Sequence, residues 1–261
     1  EALAQQAGDS HQHDGHAHHP SSGSLPLTPI PPLTDADRAA AVPPEGGHPA
    51  HDNHFQSFLL LDQLEVFDDD DEPGQAWDIQ GWLGTDINRL WLRSEGERAN
   101  NRTHSAQLEL FYGRSISAWW DVLAGVRHDA RPKQARTFAA FGIQGTAPQW
   151  LELELTAYVG EGGRTALRLD ADYELNFTSR LILQWQVQLD AHGKNDSSRG
   201  IGSGLSLAST GARLRYEFTR RFAPYVGVEY ERAIGKTADL HRLAGEPAGD
   251  TRVVAGIRTW F

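Results

Sequence analysis

Neither cysteine nor methionine occurs in the 261 residues. Without cysteine there can be no disulfide framework and no thiolate metal site; without methionine there is no thioether for a soft metal ion. The lack of cysteine suits an oxidising compartment. Long apolar runs are missing too: "FLLL" at 58–61 is among the longest, far short of the roughly 20 residues a membrane helix needs. Basic charge is scarce, with 24 Lys+Arg against 35 Asp+Glu and a formal net charge of −11. That argues against nucleic acid as a partner, because phosphate binding needs a basic footprint. Mean hydropathy is −0.51, but a transmembrane barrel alternates apolar with polar residues and is hydrophilic on average. Methionine is absent even at position 1, so the chain reads as processed, incompletely represented or edited. The opening "EALAQQA" carries a small-x-small pattern (Ala2, Leu3, Ala4) that fits either the end of a signal-cleavage region or an Ala-rich start.

What is present falls into two compositions. Residues 1–52 hold "HQHDGHAHHPSSGS", "LPLTPIPPLT" and "AVPPEGGHPAHDN", rich in His, Pro, Gly and Ser. No hydrophobic period lasts there, so the segment cannot bury enough apolar surface to offset its ordering entropy. It is expected to be a flexible arm, with one short helix around "TDADRAAA" (34–41) capped by Thr34.

From residue 53 onward short alternating segments separated by turn residues predict an all-β domain. In "SRLILQWQVQLDAHG" (179–193), Leu181, Leu183, Trp185, Val187 and Leu189 share one face and Gln184, Gln186, Gln188 and Asp190 the other. "LELELTAYV" (151–159), "LRLDADYEL" (167–175) and "ARLRYEF" (212–218) alternate in the same way. Candidate strands fall near 54–67, 76–84, 88–98, 105–113, 118–128, 135–145, 149–159, 165–175, 179–191, 206–218, 223–233 and 251–261. That makes about twelve, most close to the 9–11 residues of a tilted membrane strand. The first, "FQSFLLLDQLEVF", does not alternate cleanly, and its facing is left open.

The connections point the same way. After odd-numbered strands come "DDDDEPGQ", "ANNRTH", "DARPKQ", "GEGGR", "HGKNDSSRGIGSGLS" and "GKTADLHRLAGEPAGD"; after even-numbered ones come only tight turns such as "GTDIN" and "NFTS". Long loops at one end and short turns at the other are the arrangement of outer-membrane barrels. Both chain ends are then expected on the short-turn, periplasmic side. Trp77, Trp119, Trp120, Trp150, Phe177, Phe222, Tyr225, Trp260 and Phe261 lie near predicted strand ends, as interfacial girdles require. The expected fold is a transmembrane antiparallel up-and-down β-barrel over 53–261, its apolar faces meeting outer-membrane lipid.

If the apolar face is outside, the lumen is charged. Asp78, Glu95, Glu97, Asp121, Asp170, Asp172, Glu174 and Glu229 form a candidate cation path, since negative walls concentrate cations. Arg93, Glu109, Arg127, Glu152, Glu154, Arg168, Arg213, Arg215, Glu217 and Arg258 are expected beside them. Twelve strands lie between the filled bore of about eight and the aqueous channel of sixteen, so the lumen should be narrow and crossed by ion pairs. Mutual pairing of these charges in a wet interior is the plainer account.

In the arm, His11, His13, His16, His18 and His19 are candidate metal ligands, joined by His48, His51 and His54 before the barrel. Imidazole suits Cu(II), Ni(II) and Zn(II), and flexible spacing lets several rings converge. Asp14 and Asp52 offer further oxygen ligands. Elsewhere His104, His128, His192 and His241 read as solvated loop residues. No enzyme is expected: Ser94, Ser105, His104 and His128 show no nucleophile–base spacing. "GIGSGLS" lacks the Lys and helix of a phosphate loop.

From about residue 30 to the end the chain resembles the copper resistance protein B family, outer-membrane components of bacterial copper-resistance systems. The resemblance rests on "PLTDADRAAA", "DQLE", "WDIQGWLGTDINRLWLRSEGER", "WWDVLAGVRHD", "TALRLDADYEL", "SRLILQ", "GKNDSSRGIGSGLS", "RLRYE", "FAPYVGVEY", "GKTAD" and the terminal "WF". It implies copper handling at the outer membrane beside a periplasmic multicopper oxidase partner. Arms in that family typically carry Met as well as His. Here the set is His alone, which tilts the arm toward Cu(II) over Cu(I). Movement of copper across the outer membrane is the expected role, with a non-transporting copper-sequestering barrel and an outer-membrane hydrolase as alternatives.

Overall fold

The computed structural model describes residues 32–41, 54–69, 72–99, 102–131 and 134–261. Two units divide the chain, Glu1–Ala50 and His51–Phe261. In the first, helix α1 (Asp35–Ala40) is capped by Thr34, as its sequence predicts. Asp37 N–H donates to Thr34 Oγ1 at 3.2 Å, and Thr34 N–H donates to the Asp37 carboxylate at 2.8 Å. This reciprocal capping box satisfies two helix-end donors, and the bonds from Thr34 hold the Asp37 carboxyl below its ordinary range.

The second unit is a closed barrel of twelve antiparallel strands: β1 (Gln56–Asp69), β2 (Glu72–Gly84), β3 (Asn88–Ala99), β4 (Arg102–Ser115), β5 (Trp120–Arg131), β6 (Arg136–Ala147), β7 (Leu151–Gly160), β8 (Arg164–Asn176), β9 (Leu181–His192), β10 (Gly204–Tyr216), β11 (Phe222–Ala233) and β12 (Gly249–Trp260). Each strand pairs with its sequence neighbours, and β1 pairs with β12. The last residue completes the closure: Leu59 N–H donates to Phe261 O at 3.1 Å and Phe261 N–H to Leu59 O at 2.9 Å. Closure leaves no unpaired edge, the condition for a sheet to stand in hydrocarbon.

Burial is inverted relative to a soluble protein. Trp185 is 56% exposed on the outer face, while its neighbour Gln184 is 7% exposed and faces in. Leu92, Leu110, Val126, Phe141, Leu155, Val226 and Val253 join Trp185 in a broad apolar belt. A water-facing surface of that extent would drive association; facing lipid it is the stable arrangement.

The irregular first strand has a local cause. Its pairing with β2 steps from Leu61↔Ile79 to Gln63↔Asp78, a β-bulge that skips Asp62. Asp62 and Gln63 therefore both reach the lumen, while Leu59, Leu61, Leu64 and Val66 keep outward positions. One extra residue inverts the alternation downstream, so no single period fits 56–69.

Several connections are shorter than the turn residues suggest. "DDDDEPGQ" is mostly strand, because Phe67 pairs with Gly74 and Asp68 with Pro73. Gly74 makes this workable: a Cβ there would meet the Phe67 ring at 2.2 Å. "ANNRTH" is shortened likewise, β4 beginning at Arg102. Two connections are long, 193–203 and 234–248, both at the end expected. The second contains a helix the sequence reading placed as loop, α2 (Gly235–Ala244), ended by Gly245 at φ 79°. Trp77 lies inside β2 over Gly96 instead of at a strand end, and Tyr225 turns into the lumen.

Strand glycines facing backbone set the ring's tightness. A Cβ on Gly125 would stand 2.0 Å from Leu110 O. Gly125→Val is therefore expected to destabilise the barrel by roughly 1–3 kcal/mol through overpacking, read as a lower temperature for losing the compact, heat-modifiable band on a detergent gel. A migration temperature equal to wild type would show that β4 and β5 are not packed this closely.

A charged barrel lumen as the candidate functional site

Strand alternation sends one polar row per strand inward, and the ring brings rows distant in sequence face to face. Arginines from these rows reach across the bore. Arg213 on β10 binds Glu65 on β1 through two nitrogens, at 3.1 and 2.9 Å, and Glu229 on β11 at 2.8 Å. Its remaining bonds go to Gln186 at 2.7 Å and Gln63 at 3.2 Å. Tyr225 donates to the same Glu65 at 3.0 Å. Arg252 links Glu229 at 3.2 Å to Glu97 at 3.1 Å, so one chain of ion pairs runs from β3 through β12, β11 and β10 to β1.

Two struts cross farther. Arg168 on β8 binds Asp190 at 2.9 Å and, across the barrel, Glu95 on β3 at 3.1 Å. Arg93 on β3 binds Glu154 on β7 at 2.5 Å and Gln144 at 2.6 Å. Arg258 pairs with Asp62, and Arg215 with Glu174 at 2.7 Å. The lumen is thus narrowed by cross-bore ion pairs, in keeping with twelve strands. Beside them stands an apolar cluster, Phe111, Leu123, Ala140 and Tyr158, packed against Trp91 and Phe138. Tyr158 donates from its edge to Glu109 at 2.8 Å.

Below the struts a cavity of about 770 Å³ remains. It runs from the short-turn end, at Asp86, Ser117, Trp119 and Thr146, to the level of Glu95, Arg168 and Glu229. No residue of the long connections lines it. At the other end of the barrel the 193–203 connection is tied down by Arg199 to Asp129 at 3.2 Å, by Arg136 to Asp196, and by Gly202 N–H to Thr237 of α2 at 2.9 Å.

The eight carboxylates of the expected cation path come out as follows. Asp78, Glu95, Asp121, Asp170, Asp172 and Glu229 line the cavity; Glu97 and Glu174 face the lumen in ion pairs beyond it. Glu217, expected beside them, lies just past β10, which ends at Tyr216, and pairs with Arg220 at 3.0 Å. His11, His13, His16, His18, His19, His48 and His51 lie outside the described residues, and His54 is exposed just before β1. Among the described residues no group of three or more His, Asp or Glu is placed to hold a metal ion. Of the scattered histidines, His192 departs from the solvated expectation, half-buried with Nδ1 2.8 Å from Ser206 Oγ. Ser94 accepts from Trp77 Nε1 at 3.1 Å, and His128 is bonded to Thr137 at 2.9 Å, so these two are not paired with each other.

Asp190 faces in with Gln184, Gln186 and Gln188, as the alternation of "QWQVQLD" places it. Asp62, Glu65, Arg89, Asp129 and Arg252 belong to the lumen but escaped the sequence reading. Asp62 and Glu65 were hidden because the bulge puts them three apart, a spacing that alternation assigns to opposite faces.

Residues 55–261 match a family model described as copper resistance protein B precursor (CopB). The chain is 51% identical over 234 residues to a copper resistance protein B homolog of Pseudomonas syringae pv. tomato, covering 90% of this chain and 80% of that protein. It is 46% identical to copper resistance protein B of Escherichia coli, with 90% and 79% covered. Among solved structures the NanC porin has a similar fold (TM-score 0.51, 14% identity), covering 78% of this chain and 99% of that one.

Proposed function

Since this chain belongs to the copper resistance protein B family, we propose that it serves copper tolerance as an outer-membrane barrel that binds copper through its His-rich arm and acidic lumen. The observation that carries the luminal part is the charge balance of the cavity: ten carboxylates line it against five arginines. Each of those arginines is already paired with a carboxylate, so the surplus is negative and favours cations. In this reading residues 1–52 form a flexible periplasmic arm, both chain ends lie on the periplasmic side, and the cavity opens toward the periplasm. His11, His13, His16, His18 and His19 capture Cu(II), with His48, His51 and His54 nearer the barrel. Asp78, Glu95, Glu97, Asp121, Asp170, Asp172, Glu174 and Glu229 draw the ion into the bore. Arg168, Arg93 and Arg213 must swing aside for copper to pass outward. A periplasmic multicopper oxidase is the expected partner, and lipid the surrounding medium. The role is binding and passage, without catalysis.

The struts favour a second reading, a sealed barrel that sequesters copper without conducting it. Copper flux into proteoliposomes separates the two. For a conducting lumen, Asp170→Asn, Asp172→Asn and Glu174→Gln together should cut copper flux at least threefold while the protein stays folded. Equal flux would make these charges structural only, and copper binding with no flux in wild type would establish sequestration.

A further inference from the structure

The cavity below the struts has features that a bare copper ion would not use. Its β1–β3 wall is aromatic: Phe58 and Trp82 lie 6.4 Å apart between ring centres, Trp82 and Trp91 6.2 Å, and all three line the cavity. Cations already rest on this wall. The Arg89 guanidinium sits 4.6 Å over Trp82, and that of Arg93 lies 5.6 Å from Trp91. Such rings attract organic cations through their negative faces, whereas a hydrated metal ion gains little from them.

The acidic part of the cavity completes the pattern. Asp78 and Asp170 both line it, and neither is engaged in a hydrogen bond or ion pair with another described residue. They are enclosed and have no arginine in ion-pair contact, although Arg93 acts on Asp78 and Arg168 on Asp170 from farther off, so their carboxylates keep room for an entering cation. None of the described histidines lines the cavity, and no set of described carboxylates is spaced for a metal ion. The volume, about 770 Å³, falls in the range of small-molecule sites, roughly 300–1,000 Å³.

We propose that this cavity is a binding site for a small organic cation of the amine or guanidine class, entering from the short-turn end. The apolar stem or planar head of the ligand lies along Phe58 and Trp82, and its charged nitrogen donates hydrogen bonds to Asp78 and Asp170. Arg168 and Arg93 close the far end, so the ligand is held, and its exit on the long-loop side requires those pairs to open. The site goes beyond copper handling and does not depend on it.

Titration calorimetry of the full chain in detergent tests this with agmatine, a guanidinium–ammonium dication, and glutarate, a dianion of similar length. Agmatine is expected to bind and glutarate not. Asp78→Asn with Asp170→Asn should weaken agmatine at least tenfold, and Trp82→Leu at least threefold. Glu217→Gln, in the short turn outside the cavity, should leave it unchanged. Heat-modifiable gel migration confirms that each variant is folded. No agmatine binding by wild type, equal binding of glutarate, or a loss under threefold in the double aspartate variant overturns the proposal. Copper binding measured on the same samples keeps the two readings apart: a wild-type chain that binds agmatine but no copper counts only against the copper reading.

Discussion

Replacing Arg213 with alanine is expected to destabilise the barrel by about 3–5 kcal/mol, the scale for removing one partner of a buried ion pair. Arg213 is 4% exposed and Glu65 3% exposed, so the orphaned carboxylate cannot recover its hydration. Glu229 is less affected because Arg252 still reaches it at 3.2 Å. Gln186 and Gln63 keep a bond to each other, Gln63 Nε2 donating to Gln186 Oε1 at 2.8 Å. The cost therefore falls mainly on Glu65, and a second substitution, Glu65→Gln, should restore a large part of it by removing the stranded charge. Urea unfolding of single and double variants in detergent measures both effects. The same variant should raise single-channel conductance, since Arg213 is one of the side chains that span the bore. A stability loss below about 1 kcal/mol would mean that Glu65 is reached by water and that the lumen is wider than the ion pairs imply.

Deleting residues 1–52 is expected to remove more than half of the copper bound per chain in equilibrium dialysis at pH 7.5. The reasoning is chemical: the lumen offers carboxylate oxygens in no metal-holding group among the described residues, while the deleted segment carries His11, His13, His16, His18, His19, His48 and His51. Imidazole is much the better ligand for Cu(II). The sign of the pH effect follows from the ligand. Only neutral imidazole carries a lone pair for the metal, so binding should be strong above the unperturbed value near 6.5 and fall about tenfold or more by pH 5. The shortened chain should lack that steep fall. Unchanged stoichiometry, or an equally steep pH profile without the arm, would take these histidines out of the mechanism.

Much of this molecule was legible in the sequence because a barrel strand writes its environment into every second residue. "LELELTAYV" and "LRLDADYEL" have one stable solution once their charged rows must avoid lipid, and the difference between long and short connections sets the up-and-down order. Strand ends were less legible. Asp69, Glu72 and Arg102 look like turn residues, yet the ladder extends through them because neighbouring strands supply hydrogen-bond partners whatever the local preference. The bulge at Asp62 was hidden for a related reason: a skipped residue appears only against a partner strand.

Residue chemistry along the chain thus settled the class of fold, most of the outward-facing apolar rows, most of the inward charges and the clustering of histidines near the start. Which inward charges meet was decided by the closed ring alone. Arg168 touches Glu95, and Arg213 touches Glu65, across 73 and 148 residues of chain. No periodicity carries that information. Pairing across a bore depends on strand number, stagger and the bulge acting together, and these exist only once the last strand has found the first.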